Sequence, residues 1–383
     1  MVVDVASQGA LTARAVDGME AVGKDAWNAC LSLGQAPLRH RYLCAWQRAE
    51  LPRLIYRPIV VHDPEHRLVA GCPAYHYDLD MAAIQKHVLS DALLLVRRML
   101  PSFLVTRVFE MGSSTPLVPP FLRAREISLG MAARALLEEG ITEMENGGAD
   151  LMVVQNFHRD PPRDEVVEEL LGLGFHRVPI PPTVVLDLAF ADFDEYLGSM
   201  RAGYRRRARK VINGSAALRV ELVDDFSFLV PELARLWRLV FDRAQEVRRE
   251  VLSEPFFQAV APLDYIRVLA LKRPDGSIAS YALLLDDRPR LHFLYTGFEE
   301  AAGRDEGAYF RLLYEIVRYA IENGFASVNL GITTLEPKLD VGGQVVQLYG
   351  WLRHKNPLLQ KAFASLANGP FAPLLPQPRR VFK

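Results

Sequence analysis

Two stretches of the chain show the same order of hydrophobic and polar positions. In the first half, a helical pattern over about residues 126–146 ends at Gly147-Gly148 and runs into the apolar segment 151–154. In the second half, a helical pattern over about residues 307–323 ends at Gly324 and runs into the apolar segment 328–330. Glycine ends helices because it adopts a left-handed backbone at low cost. The pattern predicts two copies of one unit, helix followed by buried strand.

A turn between two β-rich runs lies upstream of each helix. Residues 63–66 read Asp-Pro-Glu-His before the run 68–77, and residues 273–276 read Arg-Pro-Asp-Gly before the run 278–285. Both patterns predict a β-hairpin. Aromatic and aliphatic residues at 291–298 predict a third strand in the second half. The order strand, strand, strand, helix, strand predicts an α+β fold, with a sheet that separates beside the helix start.

A length of 383 residues suggests two or three domains. Prolines clustered at 179–182 are expected to interrupt regular strand pairing. We therefore predict an N-terminal domain over 1–185, with a helical insertion near 82–108, and a C-terminal domain over 186–383 that ends in a helical tail. The two domains would be half-barrel mixed sheets with flanking helices.

The composition limits the classes of binding partner and the cellular compartment that we expect. The 45 Lys and Arg residues balance 46 Asp and Glu residues, so no overall field attracts nucleic acid and we expect no DNA partner. Cys30, Cys44 and Cys72 lack metal-ligand spacing, which predicts reduced thiols and no metal site. No apolar run reaches the roughly 18 residues of a spanning helix, and we expect a cytoplasmic protein. Segments 93–100 and 356–383 are amphipathic. One interpretation is peripheral contact with the inner face of the membrane, and the other is packing of each segment on its own domain.

Two passages resemble the FemAB-like branch of the GCN5-related N-acetyltransferase (GNAT) superfamily. Residues 193–201, followed by the basic run 204–210, are similar to the basic helix that opens the second domain in this peptidoglycan biosynthesis/recognition group. Residues 331–338 are similar to the segment after the fifth strand, where a Lys follows a polar turn. The resemblance implies a tandem acyl-CoA N-acyltransferase fold that moves an acyl group from a thioester, or from an aminoacyl ester, to an amine. Bacterial ceramide synthases, which N-acylate a long-chain base, have a similar layout.

The helix start near residue 307 matches part of the coenzyme A motif of these enzymes. In the family, pyrophosphate binds where Arg or Gln is followed by two residues, Gly, one residue, and Gly or Ala. Arg304 and Gly307 match this pattern, whereas Tyr309 stands where a small residue is expected. Backbone N–H groups and the helix dipole attract phosphate there. Arg304, Gly307 and Ala308 are therefore candidates for binding the donor, an acyl-CoA or an acyl carrier protein, and no permanently bound cofactor is expected.

Amide formation requires a base for the amine and stabilisation of an oxyanion. The sequence shows no Ser-His-Asp order and no nucleophile elbow, so we expect the amine to attack directly. His292 is a candidate base and Tyr295 a candidate acid for the leaving thiolate. Because they are three apart on one strand, they are predicted on opposite faces. Glu336 and Lys338 would share one face of an extended segment and bind the acceptor's polar head, or form a surface ion pair.

Further candidate substrate contacts lie in the first half and in the basic run. His76 is a second candidate base, and Glu110 precedes a hydroxyl-rich turn. The structural alternatives are a histidine whose hydrogen bonds are satisfied within the core and an ordinary polar turn. Arg205, Arg206 and Arg209 suit an anionic partner such as coenzyme A, an acyl carrier protein or an acidic lipid head group, or else a solvated helix face.

Three functions follow from these features. The first is N-acyl transfer from an acyl thioester to an amine, with a lipid or long-chain base as acceptor. The second is FemAB-like aminoacyl transfer from transfer RNA to a peptidoglycan precursor. The third is a non-catalytic binding protein of the same fold, because fold alone does not fix function.

Overall fold

The computed structural model describes residues 10–49, 54–80, 105–113, 115, 117–158, 165–243, 251–305, 307–369 and 372–383. The chain divides into two compact units. Unit 1 comprises Met1–Ser32, Leu38–Pro179 and Tyr349–Ala372, and unit 2 comprises Leu33–Pro37, Ile180–Leu348 and Pro373–Lys383. This division differs from the predicted one at 185/186, because residues 349–372 belong to the first unit. Residues 82–104 of the predicted insertion near 82–108 lie outside the described residues.

The strands of the described residues are, in chain order, β1 Thr12–Ala15, β2 Ile55–Tyr56, β3 Ile59–His62, β4 Leu68–Cys72, β5 Ala74–Asp80, β6 Val105–Met111, β7 Leu122–Arg123, β8 Leu151–His158, β9 His176–Asp187, β10 Arg219–Val223, β11 Ile266–Lys272, β12 Ile278–Asp287, β13 Arg290–Phe298, β14 Ser327–Gly331 and β15 Gln344–His354. The α-helices are α1 Lys24–Ala29, α2 His40–Arg48, α3 Leu129–Asn146, α4 Glu165–Gly172, α5 Phe193–Ser199, α6 Ala202–Gly214, α7 Val230–Arg243, α8 Glu254–Val260, α9 Glu300–Asp305, α10 Ala308–Glu322, α11 Leu335–Asp340 and α12 Pro357–Asn368.

Unit 1 contains antiparallel hairpins followed by a helix and a parallel strand. The strands β1, β3, β4 and β7 form one sheet in the order β1-β3-β4-β7, and the predicted turn at 63–66 joins β3 to β4. In a second group, β5 pairs with β2 and with β6, and β6 pairs in parallel with β8. Helix α3 begins at Ser128, whose side chain accepts a hydrogen bond from the Met131 backbone N–H. Its apolar face packs on a core that includes Ile59, Phe109 and Met152.

Unit 2 repeats this order around the strands β10-β11-β12-β13-β14-β9. The antiparallel strands β11, β12 and β13 are followed by α9 and α10 and then by β14, as predicted. Strand β14 runs parallel to β13, but the two pair only through Arg290–His292 and Ser327–Asn329. One sheet face packs against α5, α6 and α10, and the other packs against α7 and α8. The short parallel pairing leaves the ends of β13 and β14 separated.

The prolines at 179–182 do not end a strand. Strand β9 runs through them from His176 to Asp187. The pairing of β9 with β14 starts at Val184, beyond the last proline. A proline lacks only the backbone N–H, so it is compatible with an extended chain where no ladder hydrogen bond is needed.

Two kinds of feature are absent from the described residues. Among them, no helix combines the length and the apolar character that a membrane span requires. In the same part of the chain, no group of three or more His, Cys, Asp or Glu side chains is placed to hold a metal ion. The three cysteines are buried and free, and burial raises the pKa of both Cys30 and Cys44 to about 11.

Candidate active site

A β-bulge places His292 and Tyr295 on the same face of the sheet. Tyr295 lies opposite Leu283 and His292 lies opposite Leu285, with a register shift between the two pairs that leaves Leu294 as an extra residue. Since positions 283 and 285 share a face, so do their partners. The prediction of opposite faces is wrong because the simple two-residue alternation does not hold across a bulge. Both side chains therefore lie on the face that α7 and α8 cover.

His292 forms a buried pair with an acid at the end of the preceding strand. Its Nε2 lies 3.2 Å from Asp287 Oδ2, and its side chain is fully buried. Asp287 Oδ1 accepts a hydrogen bond of 2.7 Å from the Ala36 backbone N–H, within the same unit. Desolvation lowers the pKa of His292, and the hydrogen bond to Asp287 opposes that shift. Nδ1 is buried and has no hydrogen-bond partner among the described residues.

A second buried polar pair lies beside His292 on β14. Asn329 is the register partner of His292, and its Oδ1 accepts from Thr183 Oγ1 at 2.6 Å and from the Gly331 backbone N–H at 2.9 Å. These bonds shape the end of β14, where Gly331 takes a φ of +86°. Sequence reasoning missed Asp287, Asn329 and Thr183. Asn329 had a visible signal, a polar residue between two apolar neighbours in a buried strand.

Lys338 carries an ammonium group into the place where β13 and β14 separate. It lies on α11 and is only 3% exposed. Its Nζ donates a hydrogen bond to the Thr333 carbonyl oxygen. A Cβ atom at Gly331 would lie 3.5 Å from Lys338 Nζ and 3.5 Å from the Phe293 carbonyl oxygen. The ammonium therefore lies beside the first residues past the paired part of the two strands.

Glu336 points away from Lys338. The segment is the helix α11 and not an extended chain, so positions 336 and 338 are about 200° apart around the axis. The Glu336 side chain is 61% exposed and forms an ion pair with Arg379. The expectation that these two residues share one face is wrong because of the helix. Lys338 remains a candidate by position, whereas Glu336 is in a surface ion pair.

The start of α10 has the backbone shape expected of a phosphate site. Gly307 is its N-cap and has a φ of +63°, a left-handed conformation that favours glycine. A Cβ at Gly307 would meet no atom within 4 Å, so space is open above the helix start. Ala308 is fully buried beneath it, and Tyr309 packs against the ring of Phe298 at 5.5 Å. Arg304 lies in α9, and its side chain is outside the described residues.

The three arginines predicted in the basic run differ in their surroundings. The Arg205 guanidinium donates to the carbonyl oxygens of Gly198 and Met200 at 3.1 Å and 3.0 Å, which holds the α5–α6 corner. Arg206 and Arg209 are exposed. Arg205 is thus engaged within the fold, and its two neighbours face solvent.

The candidate residues of unit 1 take part in two buried polar pairs. His76 Nε2 lies 3.2 Å from Glu143 Oε1, and Glu143 also binds Arg57. Desolvation lowers the pKa of His76. Glu110 is fully buried and accepts a hydrogen bond of 2.6 Å from the Tyr75 hydroxyl. His292, Tyr295 and Lys338 all belong to unit 2, whereas His76 and Glu110 belong to unit 1.

Comparison with known proteins agrees with this arrangement. The family model described as an acetyltransferase (GNAT) domain matches residues 198–338, a span that includes the α10 start and Lys338. The crystal structure of FemX is similar with a TM-score of 0.59 and 13% identity, over 89% of this chain and 97% of FemX. The C-terminal domain of a putative lysylphosphatidylglycerol synthetase from Agrobacterium fabrum has a TM-score of 0.52 and 11% identity, over 92% of this chain and 97% of that domain.

A curated protein from Mycobacterium tuberculosis, putative 8-amino-7-oxononanoate synthase 2, is 23% identical over 290 residues, which cover 73% of this chain and 37% of that protein. The chain therefore spans little more than a third of the length of the curated relatives it matches. The family match, the repeated strand order of the two units and the likeness to FemX agree on one fold. Residues 198–338 match the GNAT acetyltransferase domain model, so unit 2 carries a transferase domain of the GNAT fold, and over the whole chain the likeness to FemX is one of fold.

Proposed function

We propose that unit 2 transfers an acyl group from a thioester to the free amine of an acceptor, and that the acceptor is a lipid such as a long-chain base. The observation that carries this proposal is the ammonium of Lys338 beside the separated ends of β13 and β14. Backbone groups of separated strands lack sheet partners and are available to a substrate that lies between them.

Lys338 would stabilise the oxyanion of the tetrahedral intermediate. When an amine attacks a thioester carbonyl, negative charge develops on the carbonyl oxygen, and a fixed cation in a dry site stabilises that charge strongly. Lys338 is 3% exposed, and its stem is held within α11. Its ammonium is therefore fixed before the substrate arrives, so little reorganisation is needed during the reaction.

The donor would bind its pyrophosphate at the start of α10. The left-handed Gly307 and the open space above it support a phosphate against the first-turn N–H groups. An acyl-CoA brings a pyrophosphate to this turn, whereas the phosphopantetheine arm of an acyl carrier protein brings a single phosphodiester. Arg304, next to this turn, would add positive charge.

Proton transfer would use the face that holds His292 and Tyr295. The new C–N bond forms, the C–S bond breaks, the amine proton passes to a base, and the sulfur leaves as a thiolate that takes up a proton. A neutral His292 suits the base, and the lowered pKa of its imidazole keeps it neutral at pH 7. Tyr295 lies on the same face and suits the acid.

A long-chain amine is the acceptor class of this proposal. A lipid amine also suits a protein that works at the inner face of the membrane, where we place it as a cytoplasmic, peripherally bound enzyme.

Aminoacyl transfer to a peptidoglycan precursor is the second candidate. The fold shared with FemX over 97% of that chain favours it. A non-catalytic binding protein is the third candidate, and the packing of Tyr309 on Phe298 at the donor site is the feature that favours it.

The experiment that separates these functions is a transfer assay with the purified protein. Acyl-CoA donors of increasing chain length, an acylated carrier protein and an aminoacyl transfer RNA are each incubated with long-chain amines and with a peptidoglycan precursor. Mass spectrometry then identifies the product. An N-acylated long-chain amine supports the proposal, an aminoacylated precursor supports the second function, and ligand binding without any product supports the third.

A further inference from the structure

One side of helix α6 is a face of cations. Arg206 and Arg209 form one row along the helix, and Arg207 and Lys210 form the adjacent row. All four side chains are exposed, and the sequence of α6 contains no acidic residue. Arg207 forms an ion pair of 3.3 Å with Asp340. Among the described residues, no ion pair involves the other three.

The opposite side of α6 packs on the core of unit 2. Ala208 is fully buried, and Tyr204, Val211 and Ile212 pack against the same core. The helix therefore has one side fixed in the fold and one side in solvent. The cationic side is not needed to hold the helix in place, because the packing of the apolar side does so.

The C-terminal tail adds two exposed leucines to unit 2. Leu374 is 94% exposed and Leu375 is 52% exposed, and Pro373 and Pro376 lie on either side of them. Large apolar side chains that stand this far out of a folded unit contribute free energy only when a partner covers them. Arg380, also exposed, follows within the same tail.

Hydrogen bonds and ion pairs connect the tail to α6. The Arg201 backbone N–H, at the start of α6, donates to the Val381 carbonyl oxygen at 2.9 Å. Arg379, four residues after Leu375, forms an ion pair with Asp340, the residue that also binds Arg207 of α6. The tail that carries the exposed leucines is thus joined, at residues 379–381, to the helix that carries the cationic face.

We propose that the cationic face of α6 and the exposed leucines of the tail form a docking surface for an anionic lipid bilayer. Cations attract the lipid phosphates, and leucines enter the boundary between head groups and acyl chains. A nucleic acid would satisfy the cations but leave the leucines exposed. This inference rests on the peripheral membrane binding in the proposed function and deepens it by naming the surface that binds the bilayer.

Vesicle co-sedimentation of the full chain tests the proposal. Phosphatidylcholine vesicles are compared with vesicles that contain about one third phosphatidylglycerol. We expect binding to the anionic vesicles, weakened by salt. The triple variant Arg206→Gln, Arg209→Gln, Lys210→Gln should lower the partition coefficient roughly 100-fold. The double variant Leu374→Ser, Leu375→Ser should lower it about tenfold or more at unchanged charge.

The matched control is Arg14→Gln, Arg41→Gln, Arg125→Gln, which removes the same charge from exposed positions of unit 1. We expect this control to bind as the wild type does. Equal loss in the control, equal binding to neutral vesicles, or binding to an RNA hairpin but not to vesicles would overturn the proposal. Vesicle binding needs no donor or acceptor, so its outcome is independent of the transfer assay. The wild-type salt dependence gives a result even if a variant fails to fold.

Discussion

Replacing Lys338 with Met tests the proposed role of the buried ammonium. Methionine keeps an unbranched, flexible side chain of similar length, so the apolar contacts of the stem are largely kept while the charge is lost. The loss of one preorganised oxyanion donor costs about 10²–10³-fold in kcat, or roughly 3–4 kcal/mol. Because Lys338 would act mainly on the transition state, we expect KM for the acyl donor to change little.

The structural cost of this substitution is smaller than the catalytic cost. The substitution removes the hydrogen bond from Lys338 to the Thr333 carbonyl and the contact of the ammonium with the Phe293 ring, and Thr333 is exposed, so water can replace the ammonium at that carbonyl. A charged hydrogen bond contributes about 1.5–3 kcal/mol at most, and hydration of the carbonyl and burial of a neutral side chain offset part of it. The variant should therefore remain folded.

The assay is steady-state thiol release from acyl-CoA together with thermal unfolding. Glu336→Gln is the matched control, because it removes a charge from the same helix at an exposed position that forms a surface ion pair. We expect the control to keep kcat within about threefold of the wild type. A folded Lys338→Met protein with wild-type kcat would refute the oxyanion role.

Three further predictions concern the donor site, the sheet and the histidines. Gly307→Ala should destabilise the protein by about 1 kcal/mol, because φ is +63° there, and weaken coenzyme A binding, measured by calorimetry. Gly297→Ala should cost more than about 2 kcal/mol in urea unfolding, since its Cβ would lie 2.7 Å from the backbone of Leu236 and Trp237, whereas Gly198→Ala, with no atom within 4 Å, should cost little. Burial lowers the pKa of His76 and His292 below the ordinary 6.5, so stability should be fully present above pH 6.5 and fall as the pH drops toward the lowered values. His292→Gln should reduce that pH dependence. If the variant and the wild type showed the same change in melting temperature between pH 7.5 and 5.5, the prediction for His292 would be wrong.

The order of elements was predictable because it rests on local signals. Glycines after each helix, turn residues before each hairpin and apolar runs for the strands are all visible in the sequence, and α3, α10, β8 and β14 lie where these signals put them. The prolines of β9 do not end the strand, because a proline breaks a ladder only where its N–H is required. Which positions of β9 need that N–H depends on the register with β14, a tertiary property.

The candidate site was predictable by residue type and less so by geometry. Sequence reasoning selected His292, Tyr295, Gly307 and Lys338, but a bulge at Leu294 decides that the first two share a face. Likewise, the short helix α11 separates Glu336 from Lys338. Bulges and single helical turns depend on packing with neighbouring strands, so the local sequence alone does not determine them.

The most direct test of the account is the fate of the acyl group in a single reaction. The protein is incubated with an acyl-CoA labelled with ¹³C at the carbonyl and with a long-chain amine, and both products are quantified by mass spectrometry. The account predicts one labelled N-acyl amine for each coenzyme A released, with both lost together in Lys338→Met. Release of coenzyme A with the label recovered as free acid, or transfer that persists at the wild-type rate in folded Lys338→Met, would contradict it.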